Sequence, residues 1–179
     1  MSSQNPISLQ HLNQCAPAEF VQYLGGVFEH SPWVAQAVLP QRPFASVADL
    51  HAAMAAAVRT ADAAAHLRLI RAHPELAGKA AIRGELTAES TREQSGAGLD
   101  QCSPQEFAEL QRLNAEYTKK FGFPFIIAVR GHDRQSIIRH FTQRLAAEPA
   151  AEMQECIEQI VRIGGFRLAD LVADGTPDN

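Results

Sequence analysis

The sequence predicts an all-α protein, a bundle of roughly eight helices with short connections and one extended loop. Apolar residues recur at intervals of three and four along most of the chain, which is the spacing of one helix face. No succession of short alternating strands is visible. Hydrophobic residues make up 46% and charged residues 20% of the 179 residues, as in ordinary globular proteins. A chain of this length is expected to form a single domain, here residues 1–179.

In the first half of the chain, helices are predicted from the spacing of apolar residues and from the alanine content. One helix face is formed by apolar residues three or four apart: Phe20, Tyr23, Leu24, Val27 and Phe28. The alanine-rich stretch 46–73 has the spacing of two more helices. Pro74 disfavours helical geometry at His73, so the second of these helices should end there. A short helix capped by Thr87 should follow.

The second half of the chain carries clearer end signals. Ser103 can cap a helix whose first residue is Pro104, and Glu106 can complete a capping box. Gly122 is a suitable stop for that helix. Two later helices are indicated by apolar residues at Ile137, Ile138, Phe141 and Leu145, and at Cys156, Ile160, Ile163, Leu168 and Leu171. The polar tail after Val172 is expected to fray.

Charge and composition argue against several classes of function. The net charge of −4 and the pI near 6.0 disfavour a nucleic-acid partner, which requires Lys/Arg patches. No apolar run approaches ~18 residues, so no membrane span is predicted. The three scattered cysteines form no CxxC pair, and no HxxxH or HExxH spacing occurs, so no metal site is predicted. Residues 1–10 lack secretory features and the ending "TPDN" is no peroxisomal signal, which predicts a cytoplasmic protein.

Four places depart from the helical pattern and are therefore candidate functional sites. The first is "RAHPELAGKA", residues 71–80, where His73 meets the negative end of a helix dipole that favours its protonated form. That position suits a proton donor, and a capping histidine without chemistry is the alternative. The second is residues 85–100, where one helix face carries Ser90, Glu93, Gln94 and Ala97. This face is either a hydrogen-bonding array for a small polar molecule or a solvated surface.

The third place is Arg167, which lies on an otherwise apolar stripe and needs an acceptor, because burying an unpaired charge is costly. That acceptor is either an internal carboxylate or an anionic ligand, and a side chain that reaches solvent is a further alternative. The fourth is "KKFGFPFIIAVRG", residues 119–131, where Pro124 excludes a central strand. Its main-chain groups must bind either a polar ligand or neighbouring loops and water.

Taken in order, these stretches resemble the OHCU decarboxylases of urate degradation. The resembling segments are "AHPELAGKAA", "LTAESTREQSGAGLD", "LQRLNAEYTKKFGFPFIIAVRG" and "FRLADLV", and the resemblance extends from about residue 20 to residue 172. It implies an all-helical enzyme, usually a homodimer, without a metal or an organic cofactor. The implied reaction converts the small molecule 2-oxo-4-hydroxy-4-carboxy-5-ureidoimidazoline (OHCU) into S-allantoin and CO2.

The resemblance also implies the site residues. It makes His73 the catalytic histidine and Glu93 the substrate-facing carboxylate. The implied substrate-binding residues are Pro74, Ser90, Thr91, Arg92, Glu93, Gln94, Phe125, Ile126, Ile127, Ala128, Val129 and Arg167. The main chain of residues 125–129 would hold the ring amides of the substrate. Two rival functions stay open: a hydrolase of a ureide or cyclic amide that uses His73 and Glu93, and a non-enzymatic helical interaction module.

Overall fold

The computed structural model describes residues 6–175. Within that range the protein has ten α-helices, two short 3-10 helices and two strands, so the predicted all-α fold class is confirmed. None of these helices is long and apolar enough to span a lipid bilayer. The tail "TPDN" and the first five residues, on which the targeting predictions rested, lie outside the described residues.

The helices are, in chain order, α1 (Leu9–Gln14), α2 (Pro17–Leu24), α3 (Trp33–Val38), α4 (Val47–Arg59), α5 (Ala63–Ala72), α6 (Lys79–Ile82), α7 (Ala88–Gly96), α8 (Pro104–Phe121), α9 (Arg134–Arg144) and α10 (Pro149–Leu171). The 3-10 helices cover Leu39–Gln41 and Leu99–Gln101, and the strands are β1 (Ile7–Ser8) and β2 (Val172–Ala173). The chain divides into two compact units, residues 1–69 with 161–179 and residues 70–160. The single domain over residues 1–179 stays a prediction.

In the first unit, α2 ends before its apolar pattern does. The helix stops at Leu24, and Gly25 and Gly26 follow, which are poor helix formers. Val27 and Phe28 are buried in the turn after the helix rather than on its face. The predicted continuation of this helix face to Phe28 is therefore wrong, although both side chains enter the core as their hydrophobicity requires.

The two strands pair with each other inside the first unit. They are parallel, and Ile7 lies opposite Val172. The Asp174 carboxylate then accepts a hydrogen bond from the main-chain N–H of Val47 at 2.5 Å. The expected fraying after Val172 is therefore wrong for Ala173 and Asp174, which the strand pairing and this hydrogen bond hold.

In the second unit, α8 begins and ends where its sequence signals predicted. The Ser103 hydroxyl accepts the main-chain N–H of Glu106 at 3.1 Å, and the Glu106 carboxylate accepts the N–H of Ser103 at 2.9 Å. This reciprocal pair is the predicted capping box. Gly122 ends the helix with φ of 76°, a left-handed conformation that glycine adopts without a steric penalty. The chain is thereby released from the helix into residues 123–129.

Candidate functional site

The first candidate segment, residues 73–77, begins at the end of α5. The helix ends at Ala72, and the main-chain N–H of His73 donates to the carbonyl of Ile70 at 3.1 Å. Pro74 follows, so the predicted helix end is confirmed. The His73 side chain is buried, with 7% of its surface exposed. A titratable ring is thus fixed at the end of a rigid helix, as a proton-transfer group requires.

Amide side chains hold the main chain just after the histidine. Gln94 of α7 accepts the N–H of Ala77 at 2.9 Å and donates to the carbonyl of Glu75 at 3.3 Å. Two amide side chains of α8 bind the same stretch of main chain. Gln111 donates to the carbonyl of Ala77 at 2.8 Å, and Asn114 donates to the carbonyl of Leu76 at 2.9 Å. These bonds hold Ala77 at a φ of 49°, which is uncommon for a residue other than glycine. The segment is therefore fixed in one conformation.

The side chains of residues 90–94, all on α7, point in different directions. Thr91 and Arg92 are exposed, and 73% of the Arg92 side chain is accessible to solvent. Ser90 and Gln94 are buried, and Glu93 is half-buried. Successive residues of a helix are rotated by about 100°, so five consecutive side chains cannot all face one ligand. The substrate roles of these residues stay predictions, and burial favours Ser90, Glu93 and Gln94.

The second candidate segment, residues 125–129, follows α8. Residues 124–129 form neither a helix nor a strand, as predicted. The ring of Phe125 stacks on Phe141 with centroids 3.9 Å apart, and Tyr117 meets Phe125 edge-on at 5.4 Å. Residues 125–129 are all buried. The Phe125 ring thus anchors this segment among the aromatic side chains of α8 and α9.

One arginine ties the starts of the two segments together. Arg71, in the last turn of α5, donates from Nε and Nη2 to the carbonyl of Gly122 at 3.2 and 3.0 Å. Arg71 lies two residues before His73, and Gly122 lies three residues before Phe125. The structure therefore brings the beginnings of both candidate segments to one guanidinium group.

Arg167 belongs to the first unit, where it has an internal carboxylate partner. Its Nη1 donates to Oε2 of Glu29 at 2.6 Å, and the two side chains are only 6% and 2% exposed. Of the alternatives that the sequence left open, the structure shows the internal ion pair. A contact between Arg167 and a substrate stays a prediction.

Two further features, one in each unit, do not include His73 or Glu93. A cavity of about 330 Å³ in the second unit is lined by Ala77, Ala81, Ile82, Leu86, Thr91, Gln94, Ser95, Leu99, Asp100, Cys102 and Phe107. Among the residues that the structure describes, one trio has possible metal ligands within 4.8 Å of one another: His11, Cys15 and Glu19. That trio lies in the first unit, and its histidine and glutamate already form an exposed pair at 3.1 Å.

Comparison with known proteins decides the family. A sequence model described as OHCU decarboxylase matches residues 13–169. The chain belongs to the OHCU decarboxylase family. The resemblance inferred from the four ordered segments is confirmed.

Named relatives in this family match nearly the whole chain. The 2-oxo-4-hydroxy-4-carboxy-5-ureidoimidazoline decarboxylase of Amia calva is 39% identical over 166 residues, 93% of this chain and 95% of that protein. The uric acid degradation bifunctional protein PucL of Bacillus subtilis is 40% identical over 167 residues, 93% of this chain. The chain spans only 33% of PucL, so it corresponds to one part of that protein.

A solved structure shares the fold. The crystal structure of an (S)-allantoin synthase superposes with a TM-score of 0.75 at 26% sequence identity. The match covers 93% of this chain and 54% of the synthase chain. This chain therefore shares its fold with that synthase over almost all of its length.

Several side chains that hold the candidate segments were not among the predicted site residues of this OHCU decarboxylase family member. They are Arg71, Gln111, Asn114, Arg144 and Gln159. Asn114 and Gln159 share one detectable signal, because each is a polar amide beside apolar residues of a helix face. That signal is the one by which Arg167 was selected.

Proposed function

We propose that the protein decarboxylates OHCU to S-allantoin and CO2 in urate degradation. The observation that carries this proposal is the buried His73 at the end of α5, in a chain that belongs to the OHCU decarboxylase family over residues 13–169. The named relatives support the same reaction, since one is called an OHCU decarboxylase and another a uric acid degradation protein.

The reaction requires little from the protein besides orientation and one proton. When the bond between the ring carbon and the carboxylate breaks, CO2 leaves and the electron pair moves into the adjacent imine. The imine nitrogen takes up a proton, and the product of this step is an enol. The enol becomes allantoin when a proton is added to one face of the neighbouring carbon and the enol hydroxyl loses its proton to become the ring carbonyl. Because the substrate itself accepts the electron pair, the protein has to hold it and control one proton transfer.

The site residues take the following roles in this proposal. His73 orients the leaving carboxylate and handles the proton. The half-buried Glu93 accepts hydrogen bonds from the ureido N–H groups. Gln94 donates one N–H to the carbonyl of Glu75 and accepts the N–H of Ala77. Its amide therefore has one more donor and one more acceptor site. Arg167 offsets anionic charge, and the main chain of residues 125–129 binds the ring amides.

The proposal also includes the absence of a cofactor, a homodimer and a cytoplasmic location. Decarboxylation with an internal electron acceptor needs no metal or pyridoxal group. We expect kcat to be unchanged after exhaustive dialysis against EDTA, with Cys15→Ser as a control that removes one ligand of the trio in the first unit. Loss of activity that a metal ion restores would contradict this part. Analytical ultracentrifugation at several concentrations tests the dimer.

The decisive experiment supplies freshly generated OHCU and follows two products at once. We expect CO2 release above the uncatalysed background and circular dichroism of S-allantoin that grows at the same rate. A hydrolase of a ureide would consume water and release no CO2, and an interaction module would leave OHCU to decay at its background rate. Either result would refute the proposed reaction.

A further inference from the structure

A group of side chains on α9 and α10 binds the main chain of the second candidate segment from one side. Arg144 Nη1 donates to the carbonyl of Ile126 at 2.6 Å, and Gln159 Oε1 accepts the N–H of Ala128 at 2.9 Å. Cys156 lies beside them, and its sulfur accepts a hydrogen bond from Nη2 of Arg144 at 3.4 Å. We call Arg144, Cys156 and Gln159 the clamp. All three lie in the second unit, within residues 70–160.

The clamp is itself held by further contacts. Glu152 Oε1 accepts from Nε and Nη2 of Arg144 at 2.9 and 2.5 Å, and Tyr117 donates its hydroxyl to the same oxygen. The Arg144 guanidinium lies over the Phe125 ring, 4.5 Å from its centre. A buried ion pair is weak evidence for stability. The pair of Arg144 with Glu152 instead fixes the position of one main-chain carbonyl, that of Ile126.

The other two members are equally constrained. Gln159 donates to Glu155 at 2.7 Å, which orients its amide so that the oxygen faces Ala128. Burial raises the pKa of the Cys156 thiol to about 11, so it stays uncharged at neutral pH beside Arg144. Cys156 and Gln159 are three residues apart on α10 and therefore project from one helix face. The clamp thus approaches the segment from a single direction.

The clamp binds alternate residues and leaves out the one between them. Ile126 is bound through its carbonyl, and Ala128 through its N–H. Within residues 6–175, no hydrogen bond involves the main-chain N–H or carbonyl of Ile127, although this residue is only 6% exposed. In non-helical, extended chain the main-chain groups of neighbouring residues point to opposite sides. Buried main-chain groups are nearly always bonded, so those of Ile127 are available to a polar molecule on the other side.

We propose that the clamp positions residues 125–129 so that the main-chain groups of Ile127, whose two neighbours are both bound by the clamp, face the ring amides of the substrate and bind them. This inference rests on the proposed function, and it assigns a positioning role to three residues that do not touch the reacting atoms. It singles out Ile127 among the five residues of the expected main-chain contact, because both of its neighbours are bound by the clamp. It also separates recognition of the ring, through main chain, from proton transfer, through His73.

The first test is kinetic and uses Gln159→Met, which keeps the size of the side chain but removes the acceptor for Ala128. We expect KM for OHCU to rise by about threefold to tenfold while kcat stays within about twofold, as when an interaction equal in ground and transition states is lost. The matched control is Gln154→Met on the same helix, where the glutamine is exposed, with wild-type kinetics expected. The double variant Gln159→Glu with Glu155→Gln retains the acceptor for Ala128 and a donor–acceptor pair between the two positions, and it should recover most of the loss in KM.

The outcomes separate the clamp from a purely structural role and from the proposed function. A Gln159→Met variant whose kcat falls with its unfolded fraction, at unchanged KM, contradicts the positioning role. Equal losses in Gln159→Met and in the double variant also contradict it. If wild-type protein releases no CO2 from OHCU, the proposed function fails before any variant is made. If wild-type protein is active and both Gln159 variants match it, only the clamp inference fails.

A second test needs no variant and therefore stands even if Gln159→Met does not fold. Wild-type protein labelled with 15N-isoleucine is titrated with (S)-allantoin, and the amide resonances are followed. We expect the Ile127 amide to shift more than the Ile126 amide, because the clamp already binds Ile126. A larger shift at Ile126, or inhibition by allantoin without any shift at Ile127, would overturn the inference.

Discussion

The two candidate segments of the second unit, residues 73–77 and 125–129, are both irregular, mostly buried and held by side chains of neighbouring helices. They differ in which of their main-chain groups are hydrogen-bonded by side chains of the protein. In the first segment, amide side chains bind the main chain of Glu75, Leu76 and Ala77 in succession. In the second segment, the bonds skip Ile127. The first segment is therefore built to present the side chain of His73, and the second to present main chain.

The strongest test of this contrast is His73→Ala. We expect the variant to stay folded while kcat falls by roughly 10²–10⁴-fold, the usual effect of removing a positioned proton-transfer group. Steady-state kinetics with OHCU and a thermal melt on the same preparation measure both quantities. His140→Ala is the matched control, because His140 is exposed on α9, and it should turn over normally. A folded His73→Ala variant with near-normal kcat would exclude His73 from the chemistry.

A smaller effect is expected from Glu93→Gln, which changes a side chain of α7 rather than either segment. The substitution preserves shape but places an amide N–H where a substrate N–H needs an acceptor. We expect kcat/KM to fall by at least about tenfold. Glu89→Gln is the control, since Glu89 forms an exposed pair with Arg92 on the same helix. Kinetics that match the control would assign Glu93 to the solvated face of α7.

Arg167→Lys tests whether a charge outside both segments takes part. The lysine keeps the charge but loses the planar fork. Removing a partner from a buried pair costs about 3–5 kcal/mol, so this milder change should lower the free energy of unfolding by about 1–2 kcal/mol. Under the proposed function, kcat/KM per folded molecule should also fall by at least about threefold. Normal turnover of the folded variant would limit Arg167 to its pair with Glu29.

The smallest effect is expected from Ile127→Val. This variant tests whether the second segment acts through its main chain rather than through the side chain of Ile127. If Ile127 acts through its main chain, loss of one methylene should leave kcat and KM within about twofold of wild type. Stability should fall by about 0.5–1.5 kcal/mol because the side chain is buried. Urea unfolding and steady-state kinetics give the two values. A KM that rises about tenfold or more would mean that the side chain contacts the substrate.

Elements with local end signals could be predicted, and elements without them could not. The helix α8 was located at both ends because its capping box and Gly122 are encoded within a few residues. The helices α1, α3 and α6 were missed because they have six, six and four residues, too few to show a period. The pairing of β1 with β2 joins two segments that are distant in the sequence, and no local pattern encodes such a contact.

The same limit applies to the candidate site. His73 and the segment 125–129 break the helical pattern locally, so they could be selected from the sequence. Arg144 and Gln159 lie inside ordinary helices, and their role depends on contacts with residues 18 and 31 positions away. The sequence could not show that Arg167 is paired with Glu29 either, because 138 positions separate them.

The parallel pairing of β1 with β2 has a consequence for engineering. Since Ile7 lies opposite Val172, two segments that are distant in the sequence lie side by side. A short flexible linker could connect the segment of β1 to that of β2, and a circular permutant could open instead at the exposed turn around Gly84. Reporters inserted next to β1 and next to β2 would emerge from neighbouring points, so the two would compete for one space.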